Sequence, residues 1–110
     1  MDRLFVYGTL APGRPNHHVL KDISGHWEAA TLKGNLFDEG WGAEQGCPGI
    51  VPSTDGDEVE GFVLSSNRLA EYWSMLDEYE GSGYQRVLVM VTLESGSTIE
   101  AYVYALIRAN

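Results

Sequence analysis

Residues 85–93 and 98–107 both read as strands, and Glu94-Ser95-Gly96-Ser97 between them has the composition of a tight hairpin turn. In the first strand Val87, Val89, Val91 and Leu93 alternate with Leu88, Met90 and Thr92, so both faces are largely apolar. A strand with two apolar faces has to be covered on both, which predicts a central place in the sheet. The fold must therefore be one that buries this hairpin from two sides.

The preceding chain supplies the other elements. Residues 3–7 are rich in Leu, Phe, Val and Tyr and read as a short strand ended by Gly8. Gly8-Thr9-Leu10-Ala11-Pro12-Gly13-Arg14-Pro15 is a shaped loop, followed by a short helix over residues 16–20 with Asn16 as its cap. Residues 27–38 alternate roughly, with a break at Gly34, as two strands or one bent strand. Residues 39–49 form a polar loop, and Gly46-Cys47-Pro48-Gly49 brings backbone close to a neighbour. Residues 53–57 are a turn and 58–64 a strand. Ser65-Ser66-Asn67 offers caps for a helix whose Leu69, Tyr72, Trp73 and Leu76 follow the i, i+3, i+4, i+7 spacing of one buried stripe. The order predicts a single α+β domain over residues 1–110, with a mixed, curved sheet or a small closed barrel.

At 110 residues, 44% of them hydrophobic, the chain can bury one core. Its single cysteine, Cys47, rules out an intrachain disulfide and suits a reducing cytoplasm. The opening residues lack the apolar segment of a signal peptide, and no run approaches the roughly 20 apolar residues of a membrane span. Sixteen acidic residues against seven basic ones give a net charge of −9, and the cations are scattered singly. That pattern argues against nucleic acid and against an anionic membrane as partners. Surface solvation accounts for the acidity by itself.

One segment stands out chemically. Leu76-Asp77-Glu78-Tyr79-Glu80-Gly81-Ser82-Gly83-Tyr84-Gln85-Arg86 runs from helix through a Gly-punctuated turn into strand, with Asp77, Glu78 and Glu80 at the helix end. It reads either as an ordinary acidic helix end or as a carboxylate delivered to a site. Tyr7-Gly8-Thr9-Leu10 is its natural counterpart, since successive backbone N–H groups in such a turn can hold an anion. Together they suit a small zwitterion, its carboxylate on the N–H groups and its amine beside Glu80, whose pKa should be raised by partial burial. No cofactor is required. A glycosidase needs two carboxylates about 5–10 Å apart, and these three acids do not all face one site from one helix end. Adjacent His17 and His18 point about 100° apart on a helix and His26 is isolated, so no metal site is expected. Cys47 has neither a cationic activator nor a CxxC partner and is not expected to be a nucleophile.

These residues carry a resemblance. Val6-Tyr7-Gly8-Thr9-Leu10 with Gly13, Asn16 and His17, then Gly56-Asp57-Glu58-Val59-Glu60-Gly61, then Leu76-Asp77-Glu78-Tyr79-Glu80-Gly81 with Tyr84 and Arg86, resemble the gamma-glutamylcyclotransferase-like family in the correct order from Leu4 to about Tyr104. The short length resembles the family's small bacterial, YtfP-type branch. The resemblance implies a small mixed β-barrel with flanking helices. It implies an enzyme that cyclises a gamma-glutamyl amine or amide to 5-oxoproline and releases the amine, with Glu80 as general acid/base and Tyr7, Gly8, Thr9 and Leu10 as the substrate-binding loop. A non-catalytic module that binds a small metabolite on the same fold is the alternative.

Tyr84 either borders the cavity or simply begins a strand. Tyr102 and Tyr104 share a strand face, for which core packing is the simpler account. Arg86 either clamps a substrate acid or pairs with Asp77 or Glu78, the pairing being favoured. The segment departs from the family pattern at Cys47-Pro48-Gly49, where an aromatic more often precedes the proline, which leaves the amine portion of the substrate open. The oligomeric state is not encoded in any feature of the sequence.

Overall fold

A computed structural model describes residues 2–8, 12–13, 17–37 and 49–107. Six strands make one sheet: β1 (Asp2–Val6), β2 (His26–Phe37), β3 (Gly49–Pro52), β4 (Asp57–Ser66), β5 (Tyr84–Leu93) and β6 (Thr98–Leu106). Their order is β3-β2-β4-β1-β6-β5, and β5 pairs again with β2, which closes the sheet into a barrel. Among the described residues only β1 and β6 run parallel, and every other pairing is antiparallel. The segment read as one bent strand or two is the single long strand β2, His26–Phe37; Asp38 lies outside the described residues.

The period of two explains why several strands are apolar on both faces. Phe5, Val63 and Val103 point into the barrel, where they meet Ala30, Leu32, Ile50, Val59, Val91 and Ala101. Their sequence neighbours Leu4, Val6, Leu64 and Tyr104 point outward into a second cluster with Leu20, Ile23, Leu69 and Leu76. The second cluster is the seam between the barrel and its short helices.

The expected 69–76 helix is divided in the structure. A 3-10 turn over Leu69–Glu71 ends at Tyr72, and α1 (Trp73–Glu80) starts there. Leu69 and Leu76 are fully buried, while Tyr72 and Trp73 are only half-buried, so the stripe is anchored at its ends. None of Ser65, Ser66 and Asn67 is the cap: the turn begins at Arg68 without a side-chain cap, although the backbone N–H of Arg68 donates to Ser66 Oγ at 3.0 Å just before it. Residues 17–19 likewise form a 3-10 turn rather than an α-helix; the expected cap, Asn16, lies outside the described residues. The central position expected of the 85–93 strand holds only in part. β5 pairs with β6 along its length but with β2 at just two positions, and the outward-facing Leu88 and Met90 are 50% and 56% exposed. No helix covers that face among the described elements packed on β5, because α1 reaches only the start of the strand.

Candidate active site

α1 delivers its last residue, Glu80, into the seam. The helix stops there because Gly81 adopts φ 83°, a conformation that suits a residue without a Cβ. Gly81 N–H still donates to Asp77 O at 3.1 Å, and Tyr84 N–H donates to Gly81 O at 3.3 Å as β5 begins. The turn is pinned from the other side by Ile107 N–H donating to Gly83 O at 2.9 Å. Glu80 is consequently 9% exposed, and burial raises its pKa from 4.5 to about 7. Its charge is felt by two phenols, Tyr79 and Tyr104, both of which are pushed up by burial first and by this charge in addition.

Asp77, one turn earlier, meets the opposite environment. Its Oδ1 accepts from the Tyr104 hydroxyl at 2.7 Å and from Arg86 Nε at 3.0 Å, and Oδ2 accepts from Arg86 Nη2 at 3.4 Å. Desolvation pulls its pKa up, but these hydrogen bonds and the Arg86 charge outweigh that and hold it below the ordinary value. Arg86 itself lies over the rings of Trp73 and Tyr102, 4.4 and 5.0 Å from their centroids. The preferred reading of Arg86 as one half of an ion pair is therefore the observed one, with Asp77 as its partner. Glu78 is exposed.

Tyr7 extends β1 toward the loop. Its hydroxyl donates to the Tyr104 carbonyl at 3.1 Å and accepts from Ile50 N–H at 3.0 Å. Gly8 follows in a half-buried bend, and Thr9 and Leu10 lie outside the described residues. Tyr7 also lines a surface cavity of about 500 Å³, shared with Pro12, Phe62 and Glu94; Glu80 is not in its wall. Tyr84 begins β5 and packs, half-buried, against the outward cluster. Tyr104 is buried in the same cluster, as expected of a packing residue, but its hydroxyl contact to Asp77 had no local signal: the two are 27 residues apart.

His17 packs on Trp27, with ring centroids 5.3 Å apart, and no group of three His, Cys, Asp or Glu side chains comes together as a metal site among the described residues. Cys47 and Pro48 lie outside the described residues, and no described helix is long and apolar enough to cross a membrane.

Residues 4–110 match the family of gamma-glutamyl cyclotransferase, AIG2-like proteins. The match is to the family as a whole and does not single out its small bacterial branch. A gamma-L-glutamyl-butirosin B gamma-glutamyl cyclotransferase of Niallia circulans is 32% identical over 109 residues, covering 94% of this chain and 66% of that protein. Among solved structures, an AIG2-like protein from Mus musculus superposes with a TM-score of 0.74 at 27% identity, over 100% of this chain and 80% of that one. YkqA from Bacillus subtilis superposes with a TM-score of 0.72 at 30% identity, over 96% of this chain and 35% of that one. The chain thus spans just under two-thirds of the Niallia circulans protein and little more than a third of YkqA.

Proposed function

The chain belongs to the gamma-glutamyl cyclotransferase, AIG2-like family, and on that premise we propose that it is an enzyme cyclising a gamma-glutamyl amine or amide to 5-oxoproline. The observation that carries this reading is the one carboxylate buried among the described residues, Glu80, with its pKa raised to about 7 at a Gly-punctuated helix end. A carboxyl group that titrates near neutrality is suited to take a proton and give it back.

The substrate carries its own nucleophile. The α-amine of the gamma-glutamyl group reacts as its free base, and Glu80, ionised, takes one of its two protons as the nitrogen attacks. The amine nitrogen attacks the side-chain carbonyl carbon of the same residue and closes a five-membered ring through a tetrahedral intermediate. Glu80 then returns the proton to the departing nitrogen as the original amide C–N bond breaks. The products are 5-oxoproline and the free amine; water is neither consumed nor released. Much of the rate gain in such a reaction comes from holding the chain in a near-attack fold, so the binding surface matters as much as the base. We assign that surface to Tyr7, Gly8, Thr9 and Leu10, whose backbone N–H groups would hold the substrate carboxylate, with Tyr84 at the rim. The whole of residues 1–110 acts as one such domain in this reading, in the reducing cytoplasm that a lone cysteine suits.

The test is Glu80→Gln, which keeps size and shape while removing the proton carrier. Loss of 5-oxoproline formation by about 10²–10⁴-fold is expected, with the fold and substrate binding retained. Undiminished turnover sinks the assignment. A thermal-shift panel of gamma-glutamyl compounds, read alongside product formation, separates the enzyme from a binding module: stabilisation without turnover across the panel identifies the latter.

A further inference from the structure

We propose that Tyr104 is the positioning residue of this site, tying the helix end that carries Glu80 to the bend at Tyr7 and Gly8 through its two polar ends. The proposal rests on the catalytic reading of Glu80 above. Tyr104 lies on β6, between the two halves of the site. Its side-chain hydroxyl donates to Asp77 Oδ1 at 2.7 Å, and its main-chain carbonyl accepts from the Tyr7 hydroxyl at 3.1 Å. Asp77 and Glu80 are three residues apart on α1 and so share one side of the helix. The Tyr7 oxygen in turn accepts from Ile50 N–H at 3.0 Å, which adds β3 to the same chain of contacts.

Apolar packing alone leaves the hydroxyl unexplained. Tyr104 is 5% exposed, and a phenylalanine would fill that space without the cost of burying a polar oxygen. Asp77 does not need the phenol for neutralisation, since Arg86 already meets it with two hydrogen bonds. What the hydroxyl adds is a fixed distance. It pins the last turn of α1 to the same residue whose carbonyl fixes Tyr7, so Glu80 and the substrate loop share one reference point.

The experiment is Tyr104→Phe, read by the titration midpoint of the Glu80 carboxyl in ¹³C NMR and by kcat and KM for 5-oxoproline release. Loosening the helix end hydrates Glu80, so its midpoint is expected to fall from about 7 toward the ordinary carboxylate range. The value of kcat is expected to fall by about tenfold to a hundredfold, the effect of slight misplacement, while KM changes little. An unchanged midpoint, or an unchanged kcat in an active enzyme, overturns the proposal even if the melting temperature drops. If Tyr104→Phe does not fold, Asp77→Ala removes the same hydrogen bond from the helix side and Asp77→Asn restores an acceptor without the charge. The midpoint should fall in the first and recover in the second; no fall, or a fall that asparagine leaves in place, overturns the proposal. The titration is read with or without turnover. A chain inactive on every gamma-glutamyl compound therefore sinks the catalytic reading alone, and the midpoint still decides the role of Tyr104.

Discussion

Glu80 and Asp77 sit one helical turn apart and titrate in opposite directions. The difference lies in which influence outweighs the other at each carboxyl. Asp77 is fixed by a cation and a phenol, whereas burial dominates at Glu80. This has a consequence for stability. A carboxyl whose folded pKa is raised is bound to its proton more tightly in the folded chain, so the fold is favoured by low pH. The full benefit holds below the unfolded value of about 4.5 and is lost as pH rises through about 7. The size of the shift corresponds to about 3 kcal/mol. Glu80→Gln removes this dependence, so the variant is expected to match wild type near pH 4 and to be more stable by a few kcal/mol near pH 8. Urea denaturation at the two pH values measures the difference. Equal stabilities at pH 8 would mean that Glu80 is better solvated or better paired than its burial indicates. At this scale the sequence was partly legible. Glycine after Glu80 marked the helix end, but nothing local distinguished a buried Glu80 from an exposed Glu78.

At the scale of elements, two glycines matter for different reasons. Gly81 has φ 83°, and no atom lies within 4 Å of where a Cβ would stand, so Gly81→Ala costs conformational strain alone, about 1–3 kcal/mol. Gly61 needs no unusual φ, but a Cβ there would lie 2.3 Å from Val6 O and 2.7 Å from the Phe5 ring. Gly61→Ala forces β4 and β1 apart where Tyr7 leaves the sheet and is expected to destabilise at least as much, about 1–3 kcal/mol or more. Chemical denaturation of both variants, with the Glu80 midpoint followed by NMR, separates the two effects. Gly81→Ala should disturb that midpoint because it displaces the residue next to Glu80. Gly61→Ala should act mainly on stability and on the Tyr7 side. Strand existence and the hairpin at residues 94–97 were legible because period-two patterning is a local property. The break of the helix at Tyr72 was not, because four apolar residues at helical spacing fit a continuous helix equally well. Packing decided that Leu69 and Leu76 go deep while Tyr72 and Trp73 stay near the surface.

The whole molecule depends on a short closure. β2 pairs with β4 over residues 26–34, but the seam that makes the barrel joins β2 to β5 only at Ala30↔Leu93 and Thr31↔Thr92, extended by Glu94 N–H donating to Ala29 O at 2.9 Å. A seam this short can open without unfolding the rest. Hydrogen exchange is expected to show the β2–β5 amides less protected than those of the full-length β5–β6 pairing. Equal protection would show that the barrel opens only as a unit.

The sequence by itself determined the strand periods, the hairpin, the placing of one carboxylate before a glycine at a helix end, and a family resemblance that the comparison with known proteins supports at family level. Each of these is a property of neighbours in the chain. The tertiary structure alone decided that Asp77 meets Tyr104, that Tyr104 meets Tyr7, and that Glu80 is buried. These contacts join residues far apart in the chain that strand pairing and helix packing bring together, and a pKa follows from what surrounds a group in space. The chain that names Glu80 does not say how wet it is; the fold does.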